Sequence, residues 1–234
     1  MEFKSDALLL KAADYGENDK LVTLFTLERG KIVASMKGVK KANAKLKFAA
    51  QPFAFAEYVF ATRAGRYTVV SAALHEGFYG LREDISAFYA AACVLEICDT
   101  LLFEGMENER LFVSALKALK DVEEGEPMPA LLAFFLTALK EAGYHVSAGD
   151  CPVCGKKLRG RMAFDMRSGC FTCADCSEGV PASESTYRAV RAIGSGEEST
   201  SDGQKRALRL LDAYFSHQTE GSLTSLKEYL RLAE

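Results

Sequence analysis

The stretch "KLVTLFTLERGKIVASMKG", residues 20–38, decides the fold of the N-terminal third. Two apolar-rich runs flank Glu28-Arg29-Gly30, which is the clearest β-hairpin signal in the chain. Working outward, "ALLLKA" (7–12) reads as a first strand. Downstream, "PFAFAEYVFATRAGRYTVVSA" (52–72) reads as a second hairpin that turns at Ala64-Gly65-Arg66. Its run Tyr67-Thr68-Val69-Val70 is aromatic and β-branched, as strands favour. Five short strands with little helix between them predict a small barrel, of OB-fold or SH3-like type, over residues 1–80.

After "HEGFYGLRED" (75–84) the apolar period changes from two to about 3.6. Phe88, Ala92, Leu95 and Leu102 fall on one helical face, and Leu111, Phe112, Leu116 and Leu119 continue the pattern in a second helix. Glu123–Pro129 reads as an acidic loop. Pro129 suits the first turn of "PALLAFFLTALKEAG" (129–143), and Gly143 suits its C-terminal cap. "GSGEESTSDGQ" (194–204) reads as a polar loop. "QKRALRLLDAYFSHQ" (204–218) and "SLTSLKEYLRL" (222–232) read as amphipathic helices, the second opened by a capping box at Ser225 and Glu228. The expected class is α+β: an N-terminal small β-barrel, a helical domain over 81–149, a cysteine module inserted at 150–180, and C-terminal helices over 181–234 that complete the helical domain.

The chain's 234 residues, 49% hydrophobic and 26% charged, are those of an ordinary globular protein with a sizeable core. The start "MEFKSDALLLKAADYG" is too short in apolar residues for a signal-peptide core. Ala90–Phe103 and Ala130–Leu139 are shorter than a membrane span, and Glu96 and Asp99 break the first. A cytoplasmic location follows as the expectation, with no membrane partner. There, clustered thiols among seven cysteines are more often metal ligands than disulfides. Cys93 and Cys98 sit in an apolar helix and read as small buried hydrophobes.

"CPVCG" (151–155) and "CFTCADC" (170–176) hold the other five. Cys151-x2-Cys154 makes one half of a four-thiolate site. Cys173-x2-Cys176, after 18 intervening residues, or Cys170-x2-Cys173, after 15, makes the other. Spacing does not choose between them. Alternation favours the former: "RMAFD" and "GCFTC" form two strands about a Met166–Gly169 turn, Phe171 packs inward beneath the site, and Cys173 shares its face while Cys170 points away. The metal is expected to be one structural Zn2+ per chain. His75, His145 and His217 are scattered, and no His-x-Glu precedes a Pro-Cys-x-x-Cys. No Gly-x4-Gly-Lys-Ser/Thr and no Gly-x-Ser-x-Gly elbow occurs, and Asp84, Asp99 and the Glu123, Glu124, Glu126 run form no paired-carboxylate pattern.

"KIVASMKGVKKANAKLK" (31–47) carries Lys31, Lys37, Lys40, Lys41, Lys45 and Lys47 and no acid, so a net charge of −3 leaves −9 for everything else. Lysines at a strand end can track a nucleic-acid backbone without reading bases, and Arg63 and Arg66 on the neighbouring hairpin extend them. Phe48, Phe53, Phe55, Tyr58, Phe60 and Tyr67 interleave with this region; most read as barrel core, and one or two as base-stacking platforms.

"DYGENDKLVTLFTLERGKIVASMKGVKK" (14–41), "QPFAFAEYVF" (51–60), "GLREDI" (80–85) and "CPVCG…SGCFTCADC" resemble the bacterial RecO recombination mediators in order and spacing over nearly the whole chain. The last fifth matches only as helical pattern. The resemblance implies an N-terminal OB-fold, a helical domain and a zinc finger inserted before the final helices. It also implies a non-enzymatic DNA repair protein. Such a protein binds single- and double-stranded DNA, anneals complementary strands, works with RecR, contacts the acidic tail of single-strand-binding protein and helps load RecA, in the cytoplasm and at the nucleoid during repair. Carried over residue by residue, the family's basic segment falls on Lys37, Lys40 and Lys41, with Lys45 and Lys47 nearby, and its zinc cysteines on Cys151, Cys154, Cys173 and Cys176. Cys170 stands where the family commonly has Gly. Two other classes compete: a zinc-dependent hydrolase or deaminase acting on nucleic acid, and an interaction scaffold that binds no DNA.

Overall fold

The structure is a computed structural model that describes residues 2–176 and 179–233. Met1, Ser177, Glu178 and Glu234, which the expected domain boundaries include, lie outside the described residues. Strands β1 (Glu2–Tyr15), β2 (Asp19–Thr26), β3 (Gly30–Met36), β4 (Phe55–Arg63) and β5 (Arg66–Glu76) close a barrel in the order β1-β2-β3-β5-β4. This is the expected OB-type barrel, but its strands are not all short. β1 runs for 14 residues, so "ALLLKA" is only its middle. One strand can pair with both β2 and β4 because the register shifts between Leu9 and Lys11, and the extra residue bends it. β3 alternates strictly, with Ile32, Ala34 and Met36 buried and Lys31, Val33 and Ser35 facing outward. It meets β5 in parallel through only two pairs, Ala34 with Tyr67 and Ser35 with Thr68.

The turn between β4 and β5 is the two-residue Ala64-Gly65, both at positive φ (50° and 75°), as a tight right-twisted hairpin requires. A short 3-10 turn over Phe48–Ala50 closes one end of the barrel, where Tyr58 donates to the Ala49 carbonyl at 2.9 Å.

Among the described residues six α-helices follow: α1 (Ile85–Leu101), α2 (Glu109–Glu123), α3 (Pro127–Glu141), α4 (Glu184–Ser195), α5 (Ser201–Thr219) and α6 (Thr224–Leu232). Between α3 and α4 lies a three-stranded sheet, β6 (Met162–Asp165), β7 (Cys170–Cys173) and β8 (Val180–Ala182), in the order β7-β6-β8. α1 departs from the single face read in the sequence. Phe88 and Ala92 are only half-buried, Leu102 lies just past the helix, and the fully buried residues include Ala90, Ala91, Cys93, Val94, Ile97 and Cys98. The reason is position: α1 packs against β1, β2, α2, α3 and α6 together, so it is buried nearly all round. Burial pushes the thiols of Cys93 and Cys98 up, as suits small apolar fillers.

Aromatic edges join barrel to helices. Phe25 meets Phe112 at 5.1 Å between ring centroids, and Phe53 meets Phe88 at 5.4 Å. Each such pair adds about 1 kcal/mol beyond the area it buries. The Phe103–Glu107 loop lies across the barrel, where Gly30 (φ 63°) is required. A Cβ there would sit 2.1 Å from the Met106 carbonyl oxygen.

Helix ends differ from the sequence reading in instructive ways. α3 begins at Pro127, earlier than Pro129, while Gly143 does take the expected left-handed conformation just after the helix. α4 has no counterpart among the individual helices read from the sequence; Ser183 caps it by accepting from the Thr186 N–H. α5 starts at Ser201 under a Thr200 cap, so the polar loop is shorter than 194–204. α6 has no capping box. The Glu96 carboxylate, from the middle of α1, accepts from the Thr224 N–H at 3.0 Å and the Ser225 N–H at 2.9 Å. A tertiary cap has replaced the local one.

Asp212 on α5 lies in the electrostatic neighbourhood of Glu96 and of Lys227 on α6, and its Oδ1 is buried without a hydrogen-bond partner. Burial raises its carboxyl above the ordinary range, partly offset by Lys227. A raised carboxyl costs stability while ionised, and the cost fades as falling pH protonates it. Asp212→Asn is therefore expected to raise the melting temperature at pH 7, with the gain shrinking as the pH approaches about 4. Glu96→Ala should cost about 1–2 kcal/mol in denaturant titration, and hydrogen exchange should show α6 opening first.

Candidate nucleic-acid interface and metal centre

The outward residues of β3 and the start of β5 line a groove of about 880 Å3 on the barrel wall. Val33, Ser35 and Lys37 come from β3 and the residue after it, and Asp19 and Leu21 from β2. Arg63, Ala64, Gly65, Arg66, Tyr67 and Thr68 come from the β4–β5 hairpin. The Ser35 and Thr68 hydroxyls, 3.0 Å apart, tie its floor together where β3 and β5 meet. Lys37, Arg63 and Arg66 are exposed and form no ion pair with any described residue. Three free cations thus converge from segments some thirty residues apart in sequence.

The remaining lysines of the basic run are placed differently. Lys40, Lys41, Lys45 and Lys47 are exposed on the segment between β3 and the Phe48–Ala50 turn, outside the groove lining. Lys40 is committed to Asp14 at 2.7 Å, and that hydrogen bond holds the Asp14 carboxyl below its usual range. Lys31 turns the other way and donates to the Asp99 carbonyl on α1 at 2.6 Å, so its charge belongs to the barrel–helix junction. The segment's start is fastened to the β1–β2 turn and the first residue of β2 by Lys40 N–H donating to Asn18 O at 3.0 Å and Gly38 N–H donating to Asp19 Oδ1 at 2.7 Å.

Of the aromatics singled out, Phe53, Tyr58 and Phe60 are buried, and Phe48 and Phe55 are half-buried against the core. Only Tyr67 lines the groove. Tyr15, at the end of β1, also lines it and is 61% exposed. Sequence reasoning missed it. The available signal was an aromatic inside the polar turn "ADYGEND", where no core needs one.

The second cluster sits at the tip of the three-stranded sheet. Cys151 and Cys154 lie on a tight turn in which Gly155 N–H donates to Cys151 O at 2.8 Å and Cys151 N–H donates to Lys156 O at 2.9 Å. Cys173 ends β7, and Cys176 N–H donates back to Cys173 O at 3.0 Å. The four sulfurs all lie within 4.8 Å of one another, and Cys154 Sγ is 3.6 Å from Cys173 Sγ. A tetrahedral ion at about 2.3 Å from each sulfur sets them about 3.8 Å apart, so the residues fit a metal. Backbone N–H groups of Cys173 and Cys154 pull the Cys151 thiol down to about 6. Hydrogen bonding to the Cys173 and Cys154 thiols pushes Cys176 up to about 12. Four thiolates so close need a cation before they can ionise together.

Cys170 is not in this group; its Sγ lies 3.5 Å from the Ser168 carbonyl, beside the 166–169 turn of the hairpin. None of His75, His145 and His217 belongs to the cluster. Phe171 runs inward to Phe164 and Tyr187, which anchors the sheet on the helices.

Two family models account for the chain in the order the folds occur. "Recombination protein O N terminal" matches residues 1–78, and "Recombination protein O C terminal" matches residues 82–227. The chain belongs to the RecO family. Among curated RecO relatives, the DNA repair protein RecO of Myxococcus xanthus is 32% identical over 96% of this chain and 95% of its own length. Those of Desulforamulus reducens and Geobacter metallireducens are 32% and 33% identical over 75% and 74% of this chain, and 69% and 72% of their own lengths. Among the described residues of this RecO chain, no helix is long and apolar enough to cross a membrane.

Cys176→Ser is expected to lose the bound metal, while Cys170→Ser keeps it. Metal-to-protein ratios after gel filtration check both. Retention in Cys176→Ser that disappears on adding Cys170→Ser would show Cys170 stepping in.

Proposed function

We propose that this chain is a DNA repair and recombination mediator whose barrel groove holds the sugar-phosphate backbone of single- and double-stranded DNA. The observation that carries the reading is the convergence of unpaired Lys37, Arg63 and Arg66 beside Tyr15 and Tyr67. Point cations contact phosphates without reading sequence, and two tyrosine rings offer faces on which unstacked bases can lie. Lys40, Lys41, Lys45 and Lys47 on the adjoining segment extend the positive field at the groove's rim. A mediator so built anneals complementary strands by screening their mutual repulsion while leaving base edges free to pair.

Within this reading the division of labour follows the expected domains. Residues 1–80 handle DNA, and residues 81–149 with 181–234 supply a rigid helical body for partners. The finger at 150–180 is held by one structural Zn2+ on Cys151, Cys154, Cys173 and Cys176, which supplies no chemistry beyond cross-linking the loop. RecR, the acidic tail of single-strand-binding protein and, functionally, RecA are the partners this role calls for, in a cytoplasmic protein with no catalytic step of its own.

Fluorescence titration of a labelled oligo-dT strand at several salt concentrations tests the groove. The affinity should fall steeply with salt. Replacing Lys37, Arg63 and Arg66 with Glu should make the slope of log K against log salt shallower by about 2 or more, and should slow strand annealing. Salt-independent affinity, or unaltered annealing by a variant with a native circular-dichroism spectrum, would refute the groove as the binding site.

A further inference from the structure

The stretch "KKLRGR", residues 156–161, holds Lys156, Lys157, Arg159 and Arg161 in six residues with no acid. All four are exposed, and none forms an ion pair with a described residue. Elsewhere on the surface Lys4, Lys40, Lys117, Lys120, Arg188 and Arg206 each have a carboxylate partner.

The run is also held in place. Its first carbonyl, of Lys156, accepts from the Cys151 N–H at 2.9 Å, inside the thiol cluster's own turn. Leu158 at its middle is buried in the main core. Met162 follows at once in β6, paired with Cys173 of the same thiol cluster and with Ala182 of β8. Gly160 takes a left-handed turn (φ 69°) between the two arginines. With Leu158 directed inward, the four cationic side chains are left outside on a backbone already ordered. Little conformational entropy of the main chain is then lost when they meet an anion.

The 156–161 run belongs to a different part of the molecule from the barrel groove. The barrel rests on α1 and α2 through Phe25, Phe53 and Phe112. The finger rests on α4 and α5 through Phe171 with Tyr187 and Phe164 with Tyr214. The helical body stands between them.

We infer that Lys156, Lys157, Arg159 and Arg161 form a second phosphate-backbone contact surface, on the finger, that grips DNA independently of the barrel groove. The ligand class is a polynucleotide backbone, because four ordered donors with no aromatic among them can hold successive phosphates but not bases. This inference rests on the reading that the chain binds DNA.

The test compares four metal-loaded full-length proteins on a long oligo-dT strand across a salt series. They are the unsubstituted chain, Arg159→Gln with Arg161→Gln, the Lys37, Arg63 and Arg66→Glu groove variant, and the combination. Losing two phosphate contacts should make the log K against log salt slope shallower by about 1.4 and weaken binding about 25-fold at 0.1 M salt. The same arginine pair should remove what affinity the groove variant retains. Metal content and melting temperature are read in parallel, and Lys156→Gln with Lys157→Gln serves as a second pair if the first loses metal. If both pairs leave affinity and slope unchanged, in the full chain and in the groove variant, the inference is overturned and the groove reading stands. Loss of metal by the arginine pair, with unaltered strand binding by the lysine pair, would also overturn it and assign the arginines to offsetting thiolate charge. An unsubstituted chain that binds no strand overturns both readings.

Discussion

Burial of α1 on nearly every side is the constraint on which the rest of this structure depends. A helix that touches the barrel, α2, α3 and α6 together must be apolar around most of its circumference, and Ala90, Ala91, Cys93, Val94, Ile97 and Cys98 meet that demand with small or slim side chains. Small residues let the neighbours approach closely. That approach makes one continuous core from Leu8 and Phe25 in the barrel to Phe164 and Tyr214 beside the finger. The barrel interior, around Tyr58 and Phe60, is a separate core. The two ends of the molecule are therefore positioned by one helix-centred packing unit, and both candidate sites are carried as rigid attachments to it.

The same crowding explains where polar groups have gone. Glu96 is on the one side of α1 that reaches the start of α6, and its carboxylate satisfies two N–H groups that a local cap would otherwise serve. Asp212 lies in the same neighbourhood without a partner for Oδ1, a local cost that the surrounding apolar burial outweighs. Lys31 spends its charge on the Asp99 carbonyl at the α1–barrel seam. Net charge alone is thus a poor guide to function here. Position separates cations that hold the fold from those that remain available to a ligand.

Much was legible in the sequence because it is locally encoded. Alternation around Glu28-Arg29-Gly30 and around Ala64-Gly65 specifies hairpins, since a period of two and a tight turn leave little else. The Cys-x2-Cys spacings state a thiol cluster but leave its second pair open, and the four sulfurs that gather are those of Cys151, Cys154, Cys173 and Cys176, without Cys170. The α+β class and the barrel-then-helices order follow from where the apolar period changes. What was not legible depends on partners distant in the chain. Tyr15 joins a groove only when β1 closes beside the hairpin turn, and the helix at 184–195 is fixed where Phe171 docks on Tyr187.

The sequence by itself determined the strand pattern, the helical periods, the thiol spacing and the stock of cations, because each is set by residues within one element's length. Tertiary structure alone decided which cations share a surface. Lys37 meets Arg63 and Arg66 only because β3 and β5 pair in parallel over two residues as the barrel closes. It likewise decided that Glu96, rather than a local Ser-Glu box, would cap α6. The physical reason is that charge convergence and end-capping are satisfied by whichever group arrives at hydrogen-bonding distance, and arrival is fixed by packing around α1.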